Sequence, residues 1–192
     1  TDEKHVVAAM LDGLGVDYIE GGWPGANPTD SEFFDHAPKT RATMTAFGMT
    51  KRSGRSADND DVLAAVMNAN TPAVCLVGKT HDFHVKTALG IPLDENIDNI
   101  TASISHIVNA GREALFDAEH FFDGFKANPD YTIAAAKAAY DAGARWVVLC
   151  DTNGGALPHD VRKGVRALIE AGVPGDHVGI HTHNDTENAV AN

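Results

Sequence analysis

The sequence has only two cysteines and little positive charge, and both shortages narrow the classes of protein to which it can belong. Cys75 and Cys150 lie far apart in apolar runs without CxxC spacing, which predicts buried thiols in a reducing, cytoplasmic compartment. The chain has 15 Lys and Arg against 27 Asp and Glu, a formal net charge of −12. This charge argues against nucleic-acid or anionic-membrane binding, because both need clustered Lys and Arg.

Long apolar runs and low-complexity segments are also missing. No stretch approaches the length of a membrane-spanning helix, and the first residues do not resemble a signal sequence. The 192 residues suit one compact domain, over 1–192, with a sizeable core. The chain does not begin with Met, so we expect it to be part of a longer protein.

What the sequence does contain is a repeated order of helix, glycine or asparagine, apolar strand and polar tip. The six predicted strands end near Glu20, Phe47, Gly78, Glu119, Asp151 and His183. Apolar strands alternating with helices predict an α/β fold with a parallel sheet, either open and doubly wound or closed as a barrel. Polar residues at nearly every strand end favour the (β/α)8 TIM barrel. About six of its eight βα units would be present, with the first and last missing.

Three element boundaries follow from local signals. Thr29 and Glu32 have the spacing of a capping box, so a short helix is expected to begin at Thr29. The strand that begins at Glu113 is expected to continue to Phe122, and a last helix is expected to begin at Glu187.

The candidate site centres on His181 and His183, at the end of the last predicted strand. Residues at i and i+2 of a strand point to the same face, so their imidazoles should lie side by side. Two neutral imidazoles form half of a divalent-metal site, which carboxylate, amide or water oxygens complete. The alternative is a polar strand end that binds no metal.

Asp117 and Glu119 form a second i, i+2 pair. Glu119 could assist proton transfer or hold substrate while Asp117 shapes the pocket; the alternative is a strand end with solvated acids. Glu20 could be a pocket carboxylate or an ion-pair partner of Lys79 or Arg41.

Asp151 and Thr152 end a very apolar strand, and the alternative for them is a helix-capping turn before Gly154. The remaining histidines have no ligand spacing and are expected at surface or packing positions. Neither a phosphate-binding P-loop nor a dinucleotide-binding glycine motif is present.

Four segments together resemble the 2-isopropylmalate, homocitrate and citramalate synthases, most closely the citramalate synthase branch. They are residues 18–25, 116–124, 150–154 and 181–185, and the resemblance covers nearly the whole chain. It implies a (β/α)8 catalytic barrel that condenses acetyl-CoA with a small 2-oxo acid, pyruvate first among them. The implied reaction is of the Claisen type, with release of CoA and a product such as (R)-citramalate.

The resemblance also implies roles for individual residues. His181 and His183 match two histidine ligands of a divalent cation, which could be Mn, Mg or Zn. Glu119 matches a glutamate that lies against the oxo acid and assists catalysis, and Thr152 matches a threonine that hydrogen-bonds the oxo-acid carboxylate. Asp117 occupies a position that varies with the oxo acid's side chain.

Glu20 matches an acidic residue close to the family's site. The family's Arg-Asp pair, a further asparagine and a C-terminal accessory region would lie outside residues 1–192. Because these groups are missing, little activity is expected from this chain alone. The resemblance also implies that the full-length enzyme is a homodimer of isoleucine or leucine biosynthesis. The alternatives are a lyase of the same superfamily, of the hydroxymethylglutaryl-CoA lyase type, and a truncated, non-catalytic barrel.

Overall fold

The computed structural model describes residues 2–192 and contains one sheet of six strands. The strands are β1 (Tyr18–Gly22), β2 (Thr43–Met49), β3 (Ala73–Lys79), β4 (Glu113–Glu119), β5 (Trp146–Asp151) and β6 (Val178–Thr182). They lie in the order of the chain, and every neighbouring pair is parallel. A doubly wound sheet reverses its strand order, and this one does not. The predicted α/β fold is confirmed as an open, six-stranded part of a (β/α)8 barrel.

Helices connect the strands. They are α1 (Asp2–Leu14), α2 (Pro28–Asp35), α3 (Asp61–Asn68), α4 (Asp82–His84), α5 (Leu93–Asn109), α6 (Phe121–Ala127), α7 (Pro129–Asp141) and α8 (Pro158–Glu170). A π-helical turn, Val85–Leu89, follows α4, and 3-10 turns lie at Ala57–Asn59 and Gly175–His177. Within residues 2–192, no helix is both long and apolar enough to cross a membrane.

The main core lies between the helices and the outer face of the sheet. Ile100, Ile104 and Ile107 of α5 are fully buried and follow the spacing of one helix face. They belong to the same apolar cluster as Leu76 of β3 and Phe116 of β4. Because successive strand residues point to opposite faces, this packing leaves the alternate residues of each strand on the inner, concave face.

The concave face has a hydrogen-bonded floor at the N-terminal ends of the strands. The Tyr18 hydroxyl donates to the Glu113 carboxylate, and the Trp146 ring nitrogen donates to the Tyr18 hydroxyl at 3.1 Å. These residues come from β1, β4 and β5, so the bonds bridge across the curved sheet and stabilise its curvature. A concavity of about 590 Å³ lies at this end, opposite to the candidate site.

The predicted extension of β4 to Phe122 is wrong. The strand ends at Glu119, and His120 adopts a left-handed backbone with φ of 56°. Phe121 and Phe122 then begin α6, where both rings are buried. The two rings therefore pack into the core as part of α6 and do not extend the strand.

The short helix expected near Thr29 is present as α2, but its predicted capping box and the predicted last helix are wrong. The N-cap of α2 is Asn27, whose side chain accepts a hydrogen bond from the Asp30 backbone at 2.9 Å, so Thr29 lies inside the helix. The last six residues form turns in which Glu187 has a left-handed φ of 61°, and no helix begins there.

Candidate active site

The predicted site residues lie at the C-terminal ends of the strands, on the concave face or directly beyond it. Strand register places Glu119 beside Lys79 and His181 beside Cys150. Thr152 follows β5 directly. The polar residues at the strand ends therefore lie at one edge of the parallel sheet, as the sequence predicts.

Two groups of potential ligand atoms lie among these strands. Atoms of Asp117, Cys150 and His181 all lie within 4.8 Å of one another, as do atoms of Glu20, Cys75 and Asp117. Burial raises the pKa of the Asp117 carboxyl. Burial also raises the pKa of Glu20: the residue is exposed at the edge of the sheet, but its carboxyl group lies among these partners. Both carboxyls therefore lose part of their hydration at this site.

Thr152 joins the histidine strand to β4. His183 Nδ1 lies 2.8 Å from the Thr152 carbonyl oxygen, which fixes the proton on Nδ1 and leaves the Nε2 lone pair available. The Thr152 hydroxyl oxygen accepts the backbone N–H of His120 at 2.8 Å. Its own proton can therefore be donated to a ligand.

The residues present fit a divalent cation. The rings of His181 and His183 have centroids 5.0 Å apart, and the orientation of His183 is fixed by its bond to Thr152. Asp117 adds a carboxylate within reach of His181. Neutral imidazole with carboxylate is a ligand set that suits Mn²⁺ or Zn²⁺.

Asp151 is a structural residue. Its side chain is buried, and its carboxylate accepts the backbone N–H groups of Gly155 at 3.2 Å and Ala156 at 3.1 Å. Asp151 therefore stabilises a turn, but the helix-capping alternative is wrong, because the N-cap of α8 is Leu157. These bonds shape the loop that carries Thr152.

Glu119 forms an ion pair that the motifs did not predict. Its Oε2 lies 2.5 Å from Lys79 Nζ, and both side chains are 24% exposed. Arg41 pairs with Asp12, so the alternative that Glu20 is the partner of Lys79 or Arg41 is wrong.

Three histidines that the sequence left unconnected lie beside Glu119. The rings of His84 and His120 stack with centroids 4.2 Å apart and 10° between planes, and His81 lies 5.1 Å from His84. His120 Nε2 is 3.9 Å from Glu119 Oε1. Burial lowers the pKa of both His84 and His120. Their positions just after β3 and β4 were the available sequence signal, because neighbouring strand ends meet.

A cavity of about 220 Å³ opens beside the Lys79–Glu119 pair. Its other walls are Trp23, Met49, Thr50, Val77, Gly78 and Leu89. The lining is largely apolar, so this space suits a short alkyl group next to the charged pair.

The HMGL-like family model matches residues 1–192. The (R)-citramalate synthase of Aquifex aeolicus is 45% identical over 194 residues, and that of Geobacter sulfurreducens is 46% identical over 197 residues. Each alignment covers 100% of this chain but only 37% and 36% of the relative. The chain thus spans little more than a third of these relatives. An HMG-CoA lyase from Bacillus subtilis has a TM-score of 0.80 at 17% identity, covering 100% of this chain and 64% of that chain, a likeness of fold.

Proposed function

Since the chain belongs to the HMGL-like family, we propose that it forms part of the catalytic barrel of an acyltransferase that condenses acetyl-CoA with a small 2-oxo acid. The hydrogen bonds of Thr152 carry this proposal, because its carbonyl oxygen fixes a ligand-ready His183 while its hydroxyl group keeps a proton that is free to hydrogen-bond a ligand. The similarity to proteins named (R)-citramalate synthase favours pyruvate as the oxo acid.

His181 and His183 would hold a divalent cation, which when bound would polarise the oxo-acid carbonyl and offset its negative charge. The Thr152 hydroxyl group would donate a hydrogen bond to the oxo-acid carboxylate. Asp117 would lie beside the bound acid, and Glu20 would complete the acidic wall under it. The chain's own contribution to substrate binding is thus one donor and two carboxyls of raised pKa.

Glu119 would take the proton from the acetyl-CoA methyl group. Lys79 holds Oε2 of this carboxylate at 2.5 Å, so Oε1 is the oxygen left for proton transfer. The resulting enolate would attack the oxo-acid carbonyl, and hydrolysis of the thioester would release CoA. The apolar cavity beside Glu119 supports a methyl or ethyl substituent on the oxo acid.

The compartment, the oligomeric state and the pathway are proposed together with this activity. The two free, buried thiols support a reducing compartment such as the cytoplasm. A homodimer, as the resemblance implies, is tested by light scattering on the longest protein that the gene encodes. A role in isoleucine or leucine biosynthesis would follow from the product.

The test is release of free thiol from acetyl-CoA with and without pyruvate, on this chain and on any longer protein that its gene encodes, with metal content measured in parallel. We expect about one bound cation and pyruvate-dependent turnover in the longer protein. His183→Ala should abolish both, and Glu119→Gln should abolish turnover while metal stays bound.

His159→Asn is the matched control, because this histidine is exposed in α8 and should change neither readout. Cleavage of hydroxymethylglutaryl-CoA without any condensation would identify a lyase and contradict the proposal. A longer protein that binds no metal and has no turnover would support the truncated, non-catalytic alternative.

A further inference from the structure

We infer that His120 is a positioning residue, which orients the Glu119 carboxylate with its ring and the Thr152 hydroxyl with its backbone. Its role in turnover rests on the proposed function, in which Glu119 takes the proton and Thr152 binds the oxo acid. None of the sequence motifs assigned a role to His120. Its position between these two residues follows from the way β4 ends.

The backbone contact depends on an uncommon conformation. His120 has φ of 56°, in the left-handed region, and its N–H donates to Thr152 Oγ1 at 2.8 Å. This bond occupies one lone pair of the hydroxyl, so it restricts the directions in which the Thr152 proton can point. Glycine, asparagine and aspartate tolerate this backbone region and would keep the bond.

The ring contact concerns the second oxygen of Glu119. Lys79 holds Oε2, and His120 Nε2 lies 3.9 Å from Oε1. Among the described residues, the buried Nδ1 of His120 has no hydrogen-bond partner. An unpartnered buried N–H is costly, so Nδ1 is the unprotonated nitrogen and the proton lies on Nε2, facing Glu119. The carboxylate then lies between the Lys79 ammonium group, which bonds it directly, and an imidazole N–H that faces it from 3.9 Å, beyond direct hydrogen-bonding distance.

The ring is held in this position by its neighbours. His84 stacks on it at 4.2 Å with 10° between the planes, and His81 contacts His84 edge to face. His81 Nδ1 lies 3.3 Å from Asp82, which also binds Lys86. Burial lowers the pKa of both stacked rings, which favours the neutral form that face-to-face imidazoles require.

The activity test uses His120→Gly and His120→Asn in the protein that shows turnover. Both keep the left-handed backbone and the N–H to Thr152, but remove the ring beside Glu119. We expect kcat to fall by about 10- to 100-fold, while KM for the 2-oxo acid changes by less than about threefold because oxo-acid binding is retained. Added imidazole should restore part of the rate of His120→Gly.

Unchanged kcat in both variants would overturn the inference, as would a rise in KM with no loss of kcat. His159→Asn is again the matched control. Glu119→Gln distinguishes failure of the proposed function from failure of this inference. If Glu119→Gln retains turnover, the proposed function is wrong. If Glu119→Gln is inactive while His120→Gly is fully active, only the role of His120 is wrong.

A second measurement is independent of turnover and uses this chain. Nitrogen chemical shifts of the imidazoles should show His120 with its proton on Nε2, and Glu119→Gln should shift that resonance more than Asp117→Asn does. A proton on Nδ1 of His120, or a resonance indifferent to Glu119→Gln, would overturn the ring contact.

Discussion

Replacing Gly124 by alanine should destabilise the chain where α6 packs against the end of β3. A Cβ at this position would lie 2.7 Å from Thr132 Oγ1, 2.9 Å from His81 Cα and 2.9 Å from the Thr80 carbonyl oxygen. Two of these three atoms belong to the backbone. Thr132 is fully buried, so its side chain has little room to move away. The helix itself must therefore shift.

The magnitude follows from three contributions. Overpacking a well-packed site costs about 1–3 kcal/mol. Alanine is favoured over glycine within a helix by about 0.5–1 kcal/mol, which offsets part of that cost. Thr132 donates to the Thr80 carbonyl oxygen at 2.8 Å, and displacement of this bond adds about 1 kcal/mol. The expected net loss of unfolding free energy for Gly124→Ala is about 2 kcal/mol.

Gly13→Ala is the matched control, because Gly13 also lies in a helix but a Cβ there meets nothing within 4 Å. This variant should gain about 0.5 kcal/mol. Urea unfolding followed by circular dichroism measures both, and an unchanged m value shows that only stability changed. A Gly124→Ala protein that unfolds at the wild-type urea concentration or above would refute the described packing of α6.

Three further predictions concern buried or ligating groups. Asp60→Ala should cost about 1–2 kcal/mol because the carboxylate caps α3 by accepting two backbone N–H groups. Burial alone would raise the pKa of the Asp60 carboxyl, but its hydrogen bonds outweigh burial and lower that pKa in the folded protein. The ionised carboxylate therefore stabilises the fold above about pH 4, and this contribution is lost as the pH falls through the lowered pKa of the folded state. Urea unfolding of wild type and Asp60→Ala should thus differ at pH 7 and converge in strong acid. Cys75 and Cys150, whose thiol pKa values are raised by burial, should react with Ellman's reagent only slowly until urea is added, and two rapid reactions in native protein would contradict their burial. Calorimetric Mn²⁺ affinity should be weaker in His181→Ala than in wild type, because the substitution removes an imidazole ligand atom that lies near Asp117, and equal affinities would argue against histidine ligation.

The fold could be predicted because buried parallel strands are continuously apolar and recur between helices. The end of β4 could not, since Phe121 and Phe122 are apolar and favour strands as readily as the residues before them. The strand stops because His120 takes a left-handed backbone and bonds to Thr152, which lies 32 residues further along the chain. A tertiary contact of this kind leaves no local pattern.

The candidate site was predictable to a similar depth. Spacing on a single strand paired His181 with His183, but spacing cannot pair residues on different strands. The contact of Lys79 with Glu119 depends on the register of β3 against β4, which aligns these two positions. The stack of His84 on His120 depends further on the turn that follows each strand.

Whether a residue lies on an inner strand or on an edge strand also decides how many neighbours surround its side chain. Glu119 lies on an inner strand, where Lys79 pairs with its carboxylate and the next residue, His120, is bonded to Thr152. β6 is an edge strand within residues 2–192, and His181 is exposed there. An edge strand has one row of unpaired backbone groups, so whatever pairs with β6 would also approach the histidines. The surroundings of Glu119 are thus formed within residues 2–192, whereas those of His181 are open on the free side of β6.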